Sequence, residues 1–256
     1  MSDELHSEPD HPSTTASDAG ADTSAFPPMS STHPRWVLPL VGSLIVALVV
    51  CTNVGNALWA KFTGQWNQPL TLLGLNSANR YLLLTTPITD VLPFVMVATT
   101  RLLLPDPLFY LLGYLYRGKA LHWARRVFPG MDPLFDQFTN DTGGFRRILD
   151  VLVLVAPNNP VCLLAGVAAM PVRRFITLNV VGTLARVLLF RALGTAFSGT
   201  INEFVDNVVG PYQKWFTIAS VAAVLGYLAY QTIGGKGLIG GVEELEEELG
   251  DASPTE

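Results

Sequence analysis

Residues 148–170 read ILDVLVLVAPNNPVCLLAGVAAM, an apolar run with Pro157-Asn158-Asn159-Pro160 at its centre. The run is long enough to cross a bilayer, which takes about 20 residues. Its centre, however, cannot be helical. Proline lacks an amide hydrogen and its ring collides with the carbonyl four residues back, so two prolines three apart bar a regular helix. The amides of Asn158 and Asn159 can satisfy the backbone groups that the break sets free. Broken backbone at membrane depth survives only where protein covers it or a wet cavity receives it. The segment is therefore either a proline-kinked span or a re-entrant hairpin turning at Pro157–Pro160.

The flanking charges favour the hairpin. Upstream, residues 117–147 carry Arg117, Lys119, Arg125, Arg126, Arg146 and Arg147. Downstream, the short turn before the next apolar segment carries Arg173 and Arg174. Basic loops stay in the cytoplasm, and a spanning segment would place these two on opposite sides. A hairpin places both on the cytoplasmic side.

Working outward, an earlier segment repeats the pattern. Tyr81 begins YLLLTTPITDVLPFVMVATTRLLL, which Pro87 and Pro93 interrupt, with Asp90 between them and Arg101 near the end. The apolar run Pro105–Tyr116 follows. The broken segment 148–170 is likewise followed by the apolar segment Phe175–Phe197, which carries Arg186 and Arg191. Two broken segments in matching positions, each with a following helix, form an inverted repeat, the sequence-level pointer to a transporter's midplane site. Residues Trp36–Ala60 contain no charge, and Trp215–Gly235 is a second uncharged run; both are expected to span.

Composition agrees. The chain has 256 residues, 14% of them charged, with a mean hydropathy of +0.35. All 16 basic residues and eight of the 21 acidic ones lie between Arg35 and Val242, so this middle is basic by +8 although the whole chain is −5. Residues 1–35 form an acidic tail rich in Ser, Thr, Asp and Pro, expected to be disordered. It lacks the basic start of a signal peptide, so the first span is expected to be retained. Residues 236–256 form a second acidic tail, including VEELEEEL at 242–249. Between them, 36–235 is the membrane domain, and the expected fold is an all-α integral membrane protein: a multi-span helical bundle with two opposed re-entrant hairpins. The C-terminus is expected in the cytoplasm.

The ionisable residues within apolar segments are the candidate site, because a charge at the bilayer centre is costly and marks function by default. They are Asp90, Arg101, Asp106 and Arg186, joined by Asn158 and Asn159, as a substrate or ion pathway. Each has a plainer reading. Asp90 suits a wet hairpin tip, Arg101 a pair with Asp106, and Asp106 a cap before Pro107. Arg186, about 16 Å into its segment, suits either a phosphate contact or an internal pairing. Arg191, nearer the end, suits snorkelling. Pro87, Pro93, Pro157, Pro160, Gly166 and Gly182 are assigned to the hairpin framework. The run Arg117–Phe128 interleaves bases with Leu121, Trp123, Val127 and Phe128 and reads as an interfacial amphipathic helix on anionic headgroups. The bases form no single patch of the kind that binds nucleic acid. Cys51 and Cys162 sit in apolar runs and suit neither a disulfide nor a metal site, and the four histidines have no ligand spacing. No Ser-His-Asp, His-Glu-x-x-His or Cys-x-x-Cys set is present, so no enzyme activity, catalytic residue, cofactor or metal is expected. Asn140-Asp-Thr142 matches a glycosylation acceptor but falls on the expected cytoplasmic side.

Asp106-Pro-Leu-Phe-Tyr110-Leu-Leu-Gly113 with Arg117-Gly118 resembles the G-D-x-x-x-Y-x-x-G-R-x-x-G segment of DedA-like proteins, within the VTT-domain (SNARE-associated Golgi protein) superfamily. Ala165-Gly166, Met170, Phe175, Asn179, Gly182 and Gly194 are similar to that family's second signature. The likeness covers about residues 80–200; it departs where the family carries arginines before the Ala-Gly pair. The resemblance implies a plasma-membrane, multi-pass protein that translocates or scrambles lipids or lipid-linked phosphates, with membrane lipids as partners and a homo-oligomer left open. A small-solute or proton-coupled ion transporter, and a membrane organiser acting through its acidic tails, are the alternatives.

Overall fold

The computed structural model describes residues 37–64, 67–140 and 145–234. The two tails, with most of the Asn140–Thr142 motif, lie outside the described residues. Those described are all-helical, with no strand.

Helix α1, Val37–Thr63, has 27 residues and no charge before Lys61, giving it a length of about 40 Å. Three of the described helices are long and apolar enough to cross a membrane: α1, the stretch from Val91 to Val127, and Val172–Ala196. Large apolar side chains face outward, among them Leu92 and Trp215, each 71% exposed. In water such a surface would be a liability; in lipid it is the solvent-facing side.

After α1 the chain forms α2 (Pro69–Leu75), with Pro69 in the first turn where its missing amide costs nothing. At Asn76–Ala78 the backbone turns extended, and α3 (Asn79–Thr85) follows. A tight turn at Thr86–Ile88 contains Pro87, and Asp90 is the extended residue preceding α4, Val91–Leu103. The segment from Tyr81 is thus broken at Pro87 but not at Pro93, which sits in α4's first turn, where its missing amide hydrogen costs nothing. Thr85, Thr86 and Thr89 turn their hydroxyls back onto the Tyr81, Leu82 and Thr85 carbonyls at 2.7 Å each.

Helix α5, Asp106–Val127, changes course at Arg117, whose φ of 34° interrupts it. The apolar run to Tyr116 and the basic-aromatic run beyond it are therefore separate helical pieces, as the change of pattern predicts. The second piece buries Ala120, Leu121, Trp123 and Ala124 and exposes Lys119, His122 and Arg126. Helices α6 (Asp132–Asn140) and α7 (Phe145–Val155) lead to the break at 156–158. The Asn158 side chain then caps α8 (Asn159–Val167) by accepting the Val161 amide at 3.1 Å. Helices α9 (Val172–Ala196), α10 (Ser198–Phe204) and α11 (Gln213–Gly234) complete the chain, with a π-helical turn at Val205–Val209.

Glycines set the closest crossings. A methyl on Gly113 of α5 would overlap the Leu163 carbonyl of α8, and one on Gly166 of α8 would overlap the Tyr110 carbonyl of α5. Gly182 lets α9 lie against Leu154 of α7 in the same way, and Arg174 pairs with Asp150 between the same two helices. Small residues at crossings are what membrane helices use where no hydrophobic drive separates helix from lipid. Helix α9 also receives α3 and α4, α2 packs on α4, and α1 pairs with α11. Phe62, Leu72, Leu82, Phe94 and Val187 fill the space between α1, α2, α3, α4 and α9.

Candidate functional site

Two helix breaks meet at one cavity. The Asn76–Ala78 break and the Pro157–Pro160 break both line a space of about 300 Å³, together with Arg101, Asp106 and Arg186. Five of the six residues singled out by sequence, Arg101, Asp106, Asn158, Asn159 and Arg186, are therefore gathered here. The sixth, Asp90, is exposed at the start of α4 and lines neither this cavity nor the larger one beside it.

Each charge has its own setting. Arg101 of α4 donates from Nε to the Leu75 carbonyl at 3.1 Å, and from Nη2 to the Leu48 carbonyl at 3.1 Å and Thr52 Oγ1 at 2.8 Å. The pair with Asp106 does not form; Arg101 instead satisfies carbonyls at the end of α2 and within α1. Arg186 of α9 donates from Nε and Nη2 to Asn79 Oδ1, at 3.2 and 2.5 Å. Arg80 of α3 donates to Asn56 Oδ1 at 2.6 Å. Among the described residues none of these three guanidiniums is ion-paired with a carboxylate. Neutral acceptors hold a guanidinium in place without cancelling its charge, and that charge acts more strongly where water is scarce.

Asp106 is 4% exposed. It does not cap α5, whose preceding residue, Pro105, takes that place without a side-chain bond. Its carboxylate accepts Asn179 Nδ2 at 2.9 Å, the Cys162 thiol lies against it, and its field reaches Arg186. Asn179 Oδ1 is buried with no partner among the described residues, a deficit worth about 1–3 kcal/mol. The cavity at the two breaks thus holds two guanidiniums, Arg101 and Arg186, and one carboxylate, with Arg80 on the larger cavity beside it.

Arg191 corrects its expected role. It does not snorkel. Nη1 donates to the Thr86 carbonyl at 3.0 Å and Thr89 Oγ1 at 3.1 Å, Nη2 donates to the Thr89 carbonyl at 2.8 Å, and the guanidinium lies 5.0 Å from the centre of the Phe94 ring. It clips α9 to the turn before α4, satisfying carbonyls that the break in the helix leaves free.

The residues that sequence reading missed are amides. Asn56 Oδ1 accepts Asn76 Nδ2 at 2.8 Å, Arg80 Nη2 at 2.6 Å and the Tyr81 hydroxyl at 3.0 Å. Thr52 and Asn53 were visible as polar positions in an uncharged span, four and three residues before Asn56 and so each a neighbour of it on the helix surface. Beside the smaller cavity, and sharing Thr52, Arg101, Pro105 and Asn159 with it, is a larger one of about 920 Å³.

Comparison with protein-family models finds no match, and neither curated proteins nor solved structures supply one.

Proposed function

We propose that the protein moves lipids or lipid-linked phosphates between the leaflets of the plasma membrane, as a divergent DedA-like, VTT-domain transporter that is not an enzyme. The observation that carries this reading is the meeting of two helix breaks at one cavity where, among the described residues, Arg101 and Arg186 hydrogen-bond to neutral acceptors and Asp106 is the one carboxylate beside them. Non-helical backbone at membrane depth needs a polar reason, and transporters place such breaks about the substrate. Guanidiniums are suited to phosphate because their planar donors match its oxygens. A polar notch between leaflets lets a headgroup pass while its chains stay in lipid. In this reading α2–α3, turning at Asn76–Ala78 and not at the Pro87–Pro93 stretch expected from sequence, and α7–α8 are opposed re-entrant hairpins of an inverted repeat, and the basic piece of α5 lies on anionic headgroups.

The decisive experiment reconstitutes the full chain in liposomes containing a tail-labelled fluorescent phosphatidylglycerol, then adds an impermeant reductant. Exposure of the inner-leaflet pool is the expected result. Protection of that pool, in vesicles shown to contain folded protein, would falsify the reading.

The hairpin topology has its own test. In a background lacking Cys51 and Cys162, cysteines at Ile148 and Pro171 are expected to react with an impermeant maleimide from the same side. Reaction of one and protection of the other would make 148–170 a span.

A further inference from the structure

We propose that the larger cavity is a seat for an anionic amphiphile, with a phosphate-bearing head at Arg80 and Arg101 and a hydrocarbon chain between α1 and α11. The proposal deepens the lipid-transport reading and rests on it for the class of ligand. Its geometry stands separately.

Size comes first. At about 920 Å³ the cavity is at the upper end of the roughly 300–1,000 Å³ of small-molecule sites. Its charge is one-sided: the walls carry Arg80 and Arg101 and no carboxylate. Nor are their donors used up. Among the described residues Arg80 donates Nη2 to Asn56 and lies 4.8 Å from the centre of the Tyr81 ring, and Arg101 leaves Nη1 unspent. The remaining Arg80 nitrogens and Arg101 Nη1 are available to an anion, and phosphate oxygens are the acceptors that guanidinium geometry fits.

The rest of the wall separates a lipid headgroup from free phosphate. Away from the two arginines the lining is mostly apolar, with Ile45, Leu48 and Val49 of α1, Leu84 of α3 and Val224 of α11, and Asn53 and Ser220 among its few polar groups. A free phosphate would leave this surface in water, whereas a hydrocarbon chain covers it, and burial of apolar area is the non-directional part of the binding. Polar end and apolar walls lie in one continuous space, as an amphiphile requires. Arg101 lines both cavities, so a head seated there stands at the edge of the notch between the two breaks.

The test measures binding, so that it does not depend on transport. Full-length protein in an uncharged maltoside detergent is equilibrated with equal amounts of dioleoyl phosphatidic acid and dioleoyl phosphatidylcholine, and the co-purified lipids are quantified by mass spectrometry. Enrichment of phosphatidic acid by about tenfold is expected, the worth of one charge-assisted hydrogen bond. Arg80→Gln, at an exposed position, is expected to remove most of that preference. Ala223→Trp, on the α11 wall, is expected to fill the space and lower retention of both lipids, and because Ala223 is exposed this variant keeps its fold. Excess inorganic phosphate is expected to leave the lipid bound. Retention in the input ratio, unchanged retention by Ala223→Trp, or displacement by inorganic phosphate would each overturn the proposal. Selective binding by a protein that fails to expose the inner-leaflet pool leaves the seat standing and removes the transport reading. Transport without selective binding removes the seat alone.

Discussion

Gly166→Val is expected to leave no folded protein in the membrane fraction, while Gly226→Val accumulates as the wild type does. Any β-carbon at position 166 overlaps the Tyr110 carbonyl and crowds the Tyr114 amide of α5. These are backbone atoms of a helix, so no rotamer change relieves the clash and the two helices must part. Parting them also undoes the Tyr110 ring stacked at 4.4 Å on Phe175 and the Tyr110 hydroxyl donating to the Met170 carbonyl at 2.5 Å. The reciprocal approach of Gly113 to Leu163 fails at the same time. Overpacking a tight core costs about 1–3 kcal/mol when side chains can shift; where backbone is the obstacle the loss approaches the roughly 5–15 kcal/mol that hold a domain together. Gly226 meets nothing within 4 Å, so valine there faces open space. Membrane yield and size-exclusion profiles of the two variants decide the matter. A Gly166→Val protein that elutes and melts like the wild type would show that α5 and α8 do not cross at these residues.

Arg186→Gln is expected to accumulate normally yet lose transport by about tenfold or more, the loss of a charge-assisted contact to a phosphate. Among the described residues its hydrogen bonds run to Asn79 Oδ1 alone, and a glutamine amide can still donate there, so α9 stays fastened to α3. What disappears is the positive charge beside Asp106 at the notch. Asp90→Asn is the comparison, because Asp90 is exposed and lines neither cavity; its transport is expected to stay within about twofold, as for a surface change away from a site. Equal rates for Arg186→Gln and the wild type would move the site elsewhere. Failure of Arg186→Gln to accumulate would make the charge structural.

What could be read from the sequence was what local chemistry enforces. Pro157 cannot continue α7 and Pro160 fits only the first turn of a helix, and the structure breaks at 156–158 with Pro160 in the first turn of α8. The uncharged run from Trp36 became α1. The change from apolar to basic-aromatic at Arg117 marks a real change of course. The break at Asn76–Ala78 carried no such mark, because it contains no proline. It is held from a distance instead, by Asn56 on Asn76 and by Arg101 on the Leu75 carbonyl. The same limit explains Asp90 and Arg191. Position along an apolar run suggested a buried acid and an idle arginine. Packing of α9 against the turn after α3 made Arg191 the one engaged and left Asp90 outside.

The contacts of α1 also bear on the order in which the protein is made. Its Asn56 amide finds Asn76, Arg80 and Tyr81 only 20 to 25 residues further along. Its Trp59 waits for Ser220, 161 residues away, to accept the indole hydrogen. During synthesis the first partner emerges almost at once, so a polar face that lipid tolerates poorly is quickly covered. The second emerges only after those 161 further residues have been made. Until then the hollow beside α1 lacks its α11 wall and lies open sideways to the bilayer. The finished chain therefore closes that wall around whatever the surrounding membrane has already placed there.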